Sequence, residues 1–91
     1  MSISRVYKYP LVPNDWISVS MPEGAEALCV KIQHGAPFLW ARVTVGNPPV
    51  IRHFRIAGTG HDLDGNVGRH VGSFQLAGGD LVFHVFEDAS P

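Results

Sequence analysis

An intramolecular disulfide is excluded, because the 91 residues include a single cysteine, Cys29. A small fold without covalent staples fits a reducing compartment better than secretion. Charge is scarce at 16% and nearly balanced, seven basic residues against eight acidic, for a net −1. General attraction to nucleic acid or to an anionic membrane surface is therefore not expected. Long hydrophobic runs are missing, so no stretch reaches the length of a membrane-spanning helix, and Met-Ser-Ile-Ser-Arg at the start lacks the apolar core of a signal peptide. A soluble protein of the cytoplasm is the expectation. Helical periodicity is also missing: prolines at 10, 13, 22, 37, 48 and 49 interrupt the N-terminal half before several turns can form.

What remains is a two-residue alternation of apolar and polar side chains, the mark of strands with one buried face. Strands are expected at Ser2–Tyr9, Trp16–Ser20, Glu26–His34, Pro37–Val45, Val50–Gly58, Arg69–Ala77 and Leu81–Glu87. Turn chemistry separates them at Pro13-Asn14-Asp15, Met21-Pro22-Glu23-Gly24, His34-Gly35-Ala36, Gly46-Asn47-Pro48-Pro49 and Gly78-Gly79-Asp80. The alternation assigns Leu28, Val30 and Ile32 to one face, and Leu39, Ala41, Val43 and Val45 to the core. Phe38, Trp40 and Arg42 point the other way. Phe54 and Ile56 oppose His53 and Arg55. The last strand is apolar on both faces, which makes it central or covered by another subunit. The expected architecture is one all-β domain over residues 1–91: an antiparallel sandwich or partly open barrel of about seven short strands. So short a chain closes one core at most, and self-association to bury more apolar surface is expected.

The chemistry-bearing residues crowd into Val50–Glu87, which holds His53, His61, His70 and His84 together with Arg52, Arg55 and Arg69. No two of these histidines have the close spacing of a metal motif, so structural roles on half-buried strands are expected for them, with no metal and no cofactor. Gly-Thr-Gly-His at 58–61 lacks both the third glycine of a dinucleotide fingerprint and the Gly-Lys-Ser/Thr ending of a phosphate loop. Its glycines fit a long connection that needs positive φ, although backbone amides in such a turn can also form an anion nest. Asp62 and Asp64 flank His61, but neighbours in one loop rarely meet the geometry of a triad. Ser73 and Cys29 sit on strands rather than at a nucleophile's elbow, so catalysis is not expected. Trp40, Phe38 and Phe86 are placed with Arg42, Arg55 and His84 on a non-core surface, a composition typical of interfaces and of sites that stack a base beside its phosphates.

Five segments carry a wider likeness: KYPL at 8–11, MPEGAEALCV at 21–30, APFLWA at 36–41, RIAGTGH at 55–61 and GGDLVFHVFE at 78–87. Over nearly its full length the chain resembles a family of uncharacterised small proteins that occur widely in bacteriophage and prophage genomes. The resemblance implies phage origin and expression in the cytoplasm of a bacterial host; it transfers no site residue. Three functions follow as expectations. The first is counter-defence by a homo-oligomer that sequesters a small anionic nucleotide-derived immune signal, using Arg55, Thr59, His61, Arg69, Trp40 and His84. The second is direct docking on a host defence protein through the Trp-Arg face. The third is a structural or decoration role in the virion.

Overall fold

The computed structural model describes residues 2–12 and 14–89. These residues form seven strands: β1 (Ser4–Pro10), β2 (Trp16–Pro22), β3 (Glu26–Gln33), β4 (Ala36–Thr44), β5 (Pro49–Gly58), β6 (Val67–Leu76) and β7 (Leu81–Asp88), with a 3-10 turn at Ala77–Gly79. They make two antiparallel sheets, β1-β4-β3 and β2-β5-β7-β6, which face each other as an unclosed sandwich. The all-β expectation holds, and β7 is central, flanked by β5 and β6. No helix among the described residues is long and apolar enough to cross a membrane.

Local chemistry explains the boundaries. β2 runs through Met21 and Pro22, which the alternation had assigned to a turn; as a sheet edge it tolerates a proline without losing a ladder bond. The β3–β4 hairpin closes on His34 and Gly35, with φ of 51° and 78°, the paired left-handed conformation that matches strand twist in a two-residue loop. Of the expected Pro13–Asp15 turn, Pro13 lies outside the described residues.

Leu39, Ala41, Val43, Phe54 and Val85 are essentially inaccessible and form the centre of the core with Met21, Ala27, Val30, Ile56, Val71 and Phe74. Val45, expected in the core, is partly exposed just past the end of β4. The expected Leu28–Val30–Ile32 face is not observed. A bulge between Ala27 and Cys29 inserts one residue, so Ala27 and Val30 point inward while Leu28 is 43% exposed. Ile32 returns to the inward register but is 39% exposed, in a groove it shares with Phe74 and Leu76 of β6.

The two sheets come closest where β3 crosses β6. A Cβ on Gly72 would stand 3.0 Å from the backbone nitrogen of Val30, so any larger residue would force the strands to give by a few tenths of an ångström. Two arginines tie the same seam. Arg52 on β5 donates to the Ala25 carbonyl at 2.8 Å and pairs with Glu87 at 2.5 Å, and Arg69 on β6 donates to the Ala27 carbonyl. β1 pairs with β4 alone and is exposed along its length except at Tyr9, whose phenol is pushed above its ordinary pKa by burial and then by neighbouring Tyr7.

Candidate functional site

The Gly58–His61 turn is where the fold concentrates polar side chains. β5 ends at Gly58, whose carbonyl accepts the His61 N–H at 3.0 Å, and Gly60 turns the chain with a φ of 87°. Thr59 anchors the turn to β7: its N–H donates to the Val82 carbonyl at 3.1 Å and its hydroxyl meets His84 Nε2 at 2.8 Å. From there a chain of side chains crosses the outer face of the four-stranded sheet. His84 Nδ1 lies 2.8 Å from Ser73 Oγ, and Ser73 Oγ lies 3.2 Å from His70 Nε2. The His70 ring also tilts against Phe86, with centroids 5.1 Å apart.

One direction of donation satisfies the whole series. Thr59 donates to the Val82 carbonyl at a long 3.4 Å, leaving its oxygen to accept from His84 Nε2–H. His84 Nδ1 then accepts from the Ser73 hydroxyl, whose oxygen accepts from His70 Nε2–H. Long-range 1H–15N spectra of the neutral rings should show the proton on Nε2 of both His70 and His84; a proton on Nδ1 of His84 would reverse the chain. Two imidazoles and two hydroxyls in line can hold or pass a proton. A nucleophile's further requirement, donors aimed at a developing oxyanion, has no counterpart in this set of contacts.

Arg55 sits beside this chain but serves the loop. It is 5% exposed on the outer side of β5. Its Nη1 donates to the carbonyls of Ile56 at 2.7 Å and Asp15 at 3.1 Å, and its Nη2 to that of Asp62 at 3.0 Å. Nε bonds the Asp64 carboxylate at 3.1 Å, and the Asp15 carboxylate stands 3.5 Å from Nη1. The 59–66 connection is thereby clamped over the sheet, with Gly65 laid on the Trp16 ring. A guanidinium has five N–H donors, and here four hydrogen bonds engage it within the chain.

The six residues proposed from the sequence therefore divide. Thr59 and His84 touch, and His61 is on the same turn. Arg55 is buried beneath the loop, and Arg69 reaches across to β3. Trp40 is elsewhere, on the outer face of the three-stranded sheet, so the single surface expected to join Phe38, Trp40 and Arg42 with Phe86, Arg55 and His84 is instead two faces on opposite sides of the sandwich. On Trp40's face, Phe38 and Trp40 meet edge to face at 5.9 Å, and the Lys8 ammonium stands 4.7 Å above the Phe38 ring. Lys31 is level with Phe38 across the β3 ladder, and Arg42 pairs with Glu26 at 3.0 Å.

Sequence reasoning did not join His70 and Ser73 to His84. A signal existed: with Leu76 opposite Leu81, hairpin register alone sets Ser73 opposite His84. The bulge between His70 and Gly72, which brings His70 into line, has no such signal. Among the described residues, no group of three or more His, Cys, Asp or Glu side chains is gathered as a metal site would require.

The profile of a family described as a domain of unknown function, DUF7352, matches residues 2–91. The chain belongs to this family. Membership covers the whole sandwich, so the Gly58–His61 turn, the hydroxyl–imidazole chain and the aromatic face all lie within the family's domain. No curated protein and no solved structure matches the chain.

Proposed function

We propose that this DUF7352 chain is a phage-borne, non-catalytic binding protein that acts in counter-defence by docking on a host defence protein in the bacterial cytoplasm. The observation that carries the reading is the outer face of the three-stranded sheet. Phe38 and Trp40 are half-buried there, flanked by Lys8, Lys31 and Arg42. Tryptophan and arginine are the residues most enriched among interface anchors, and half-buried aromatics need little further ordering to bind. The phage setting and the counter-defence role rest on the resemblance of the KYPL, GTGH and GGDLVFHVFE segments. Sequestration of a nucleotide-derived signal ranks second, because the phosphate clamp it calls for needs Arg55, whose donors are engaged inside the chain.

The test is phage plating on a host that carries the targeted defence system, with the partner identified by capture on tagged protein. Trp40→Ala and Arg42→Glu should each lower affinity for the captured protein by about 30-fold or more, the effect of losing a central anchor. They should abolish protection in parallel. His53→Ala, on the outer face of the other sheet, should leave both unchanged. Full protection by Trp40→Ala would overturn the proposal. A large thermal shift with a cyclic or ADP-ribose-type nucleotide, insensitive to Trp40→Ala, would establish sequestration in its place.

Self-association is part of the same reading, and β1 offers the edge for it. Bonds from Leu11 N–H to the Pro37 carbonyl (3.1 Å) and from Val45 N–H to the Ile3 carbonyl (2.8 Å) show that odd-numbered backbone groups face β4. Those of Ser4, Val6 and Lys8 therefore point outward, unpaired by the ladder. Antiparallel pairing of two β1 strands would join two aromatic faces into one. Val6→Pro removes an outward N–H and should convert a dimer to a monomer in sedimentation without unfolding it; a monomeric parent chain would rule this pairing out.

A further inference from the structure

We propose that the cleft beneath the Gly58–His61 turn is a binding site for a small phenol-type molecule: one aromatic ring carrying a hydrogen-bonding substituent. The proposal is independent of the aromatic face on the three-stranded sheet. At one end of the four-stranded sheet, buried Ile56 and Phe74 and half-buried Leu76 and Phe83 line a cavity of about 130 Å3. Apolar cavities of about 150 Å3 admit benzene, so this space is sufficient for a single ring. Phe74 and Phe83 already stack, with centroids 5.4 Å apart and planes 23° from parallel. A third ring can extend that arrangement at a favourable 4.5–7 Å, about one ring spacing.

Polarity is confined to the mouth. Asp15 lines it with a side chain that is 87% exposed and only loosely paired to Arg55, at 3.5 Å. Asn14 and His61 line it as well. The position of His61 is set by the turn: a Cβ on Gly58 would lie 3.0 Å from His61 Cε1 and Nδ1, so the imidazole rests directly on the glycine. A hydroxyl leaving the ring therefore meets a carboxylate that accepts and an imidazole that accepts or donates. A second groove, of about 340 Å3, shares Gly58, His61 and Phe83 with the first and continues along Thr59 and Val82. Substituents on the ring thus have a path outward past His61.

The experiment is a 1H–15N titration of the intact chain with p-cresol, with cyclohexanol and acetate as comparison probes. Saturable shifts are expected at Gly58, Thr59, His61, Leu76 and Phe83, with a Kd of about 1 mM for so small a ligand. Cyclohexanol should bind at least fivefold more weakly, and acetate should not saturate. Leu76→Trp, which fills the half-buried rim, should weaken p-cresol at least tenfold. His61→Ala, in an exposed turn, retains the fold if Leu76→Trp does not, and should weaken p-cresol severalfold. Shifts that stay linear, or that persist unaltered in both variants, would overturn the site. N-acetyl-tyrosinamide binding tenfold more tightly than p-cresol would overturn the free small molecule and assign the cleft to a tyrosine of a protein partner.

Discussion

Replacing Arg55 by Met is expected to lower stability by about 3 kcal/mol, because the change removes a buried cation whose partners were arranged around it. The carbonyls of Ile56, Asp62 and Asp15 each lose a donor, Asp15 keeping the Ile56 N–H at 2.9 Å, and two carboxylates lose their cation. The carboxylates of Asp15 and Asp64 are largely exposed and return to water at little cost, so the loss comes mainly from the carbonyls and from the released loop. Thermal unfolding should move down by more than about 10 °C for a domain of this size, read by circular dichroism. Amide exchange should accelerate across 59–66 far more than across β4, since the guanidinium clamps that connection and touches no residue of β4. A change below about 1 kcal/mol would show that the loop holds itself and that Arg55 is available for another purpose.

Gly72→Val should be nearly as damaging, at about 3 kcal/mol, for a steric reason. Its Cβ would approach the Val30 nitrogen at 3.0 Å and the Val30 Cβ at 3.2 Å, and backbone cannot rotate away as a side-chain tip can. Relief requires β6 to move off β3, which opens the seam that Arg69 bridges. Urea unfolding should show a lower midpoint, and Gly72→Ala should show a smaller drop in the same direction. Gly35 provides the comparison: nothing lies within 4 Å of a Cβ there, so the penalty of a side chain is limited to its φ of 78°.

The arginines mark how far the residues alone can be read. Arg52, Arg55 and Arg69 within eighteen positions of one another look like an anion site, and composition offers no way to tell a free guanidinium from a committed one. In the fold each donates to a backbone carbonyl that lies far off in sequence: Ala25, Asp15 and Ala27. The alternation of β4 was legible because every second residue meets the same core, so Leu39, Ala41 and Val43 could be assigned inward. The β3 bulge was not, since one inserted residue changes which side chains share a face and leaves the apolar count untouched. Phe86 and Trp40 were placed together because both point away from a core. Which of two sheets each strand joins depends on pairings between distant segments.

Two-residue periodicity and closely spaced turn residues were sufficient for the all-β class, the approximate strands and the inward face of β4, and they narrowed β7 to a central strand or one covered by another subunit. Those properties are local, or follow from how much apolar surface a strand must hide. Assembly of the two sheets settled the rest. It buried Arg55 beneath its loop, aligned His70, Ser73, His84 and Thr59, and gathered Ile56, Phe74, Leu76 and Phe83 around a cavity at one end. Hydrogen bonds and cavities depend on distances between strands remote in the chain, and no pattern along a single strand encodes those distances.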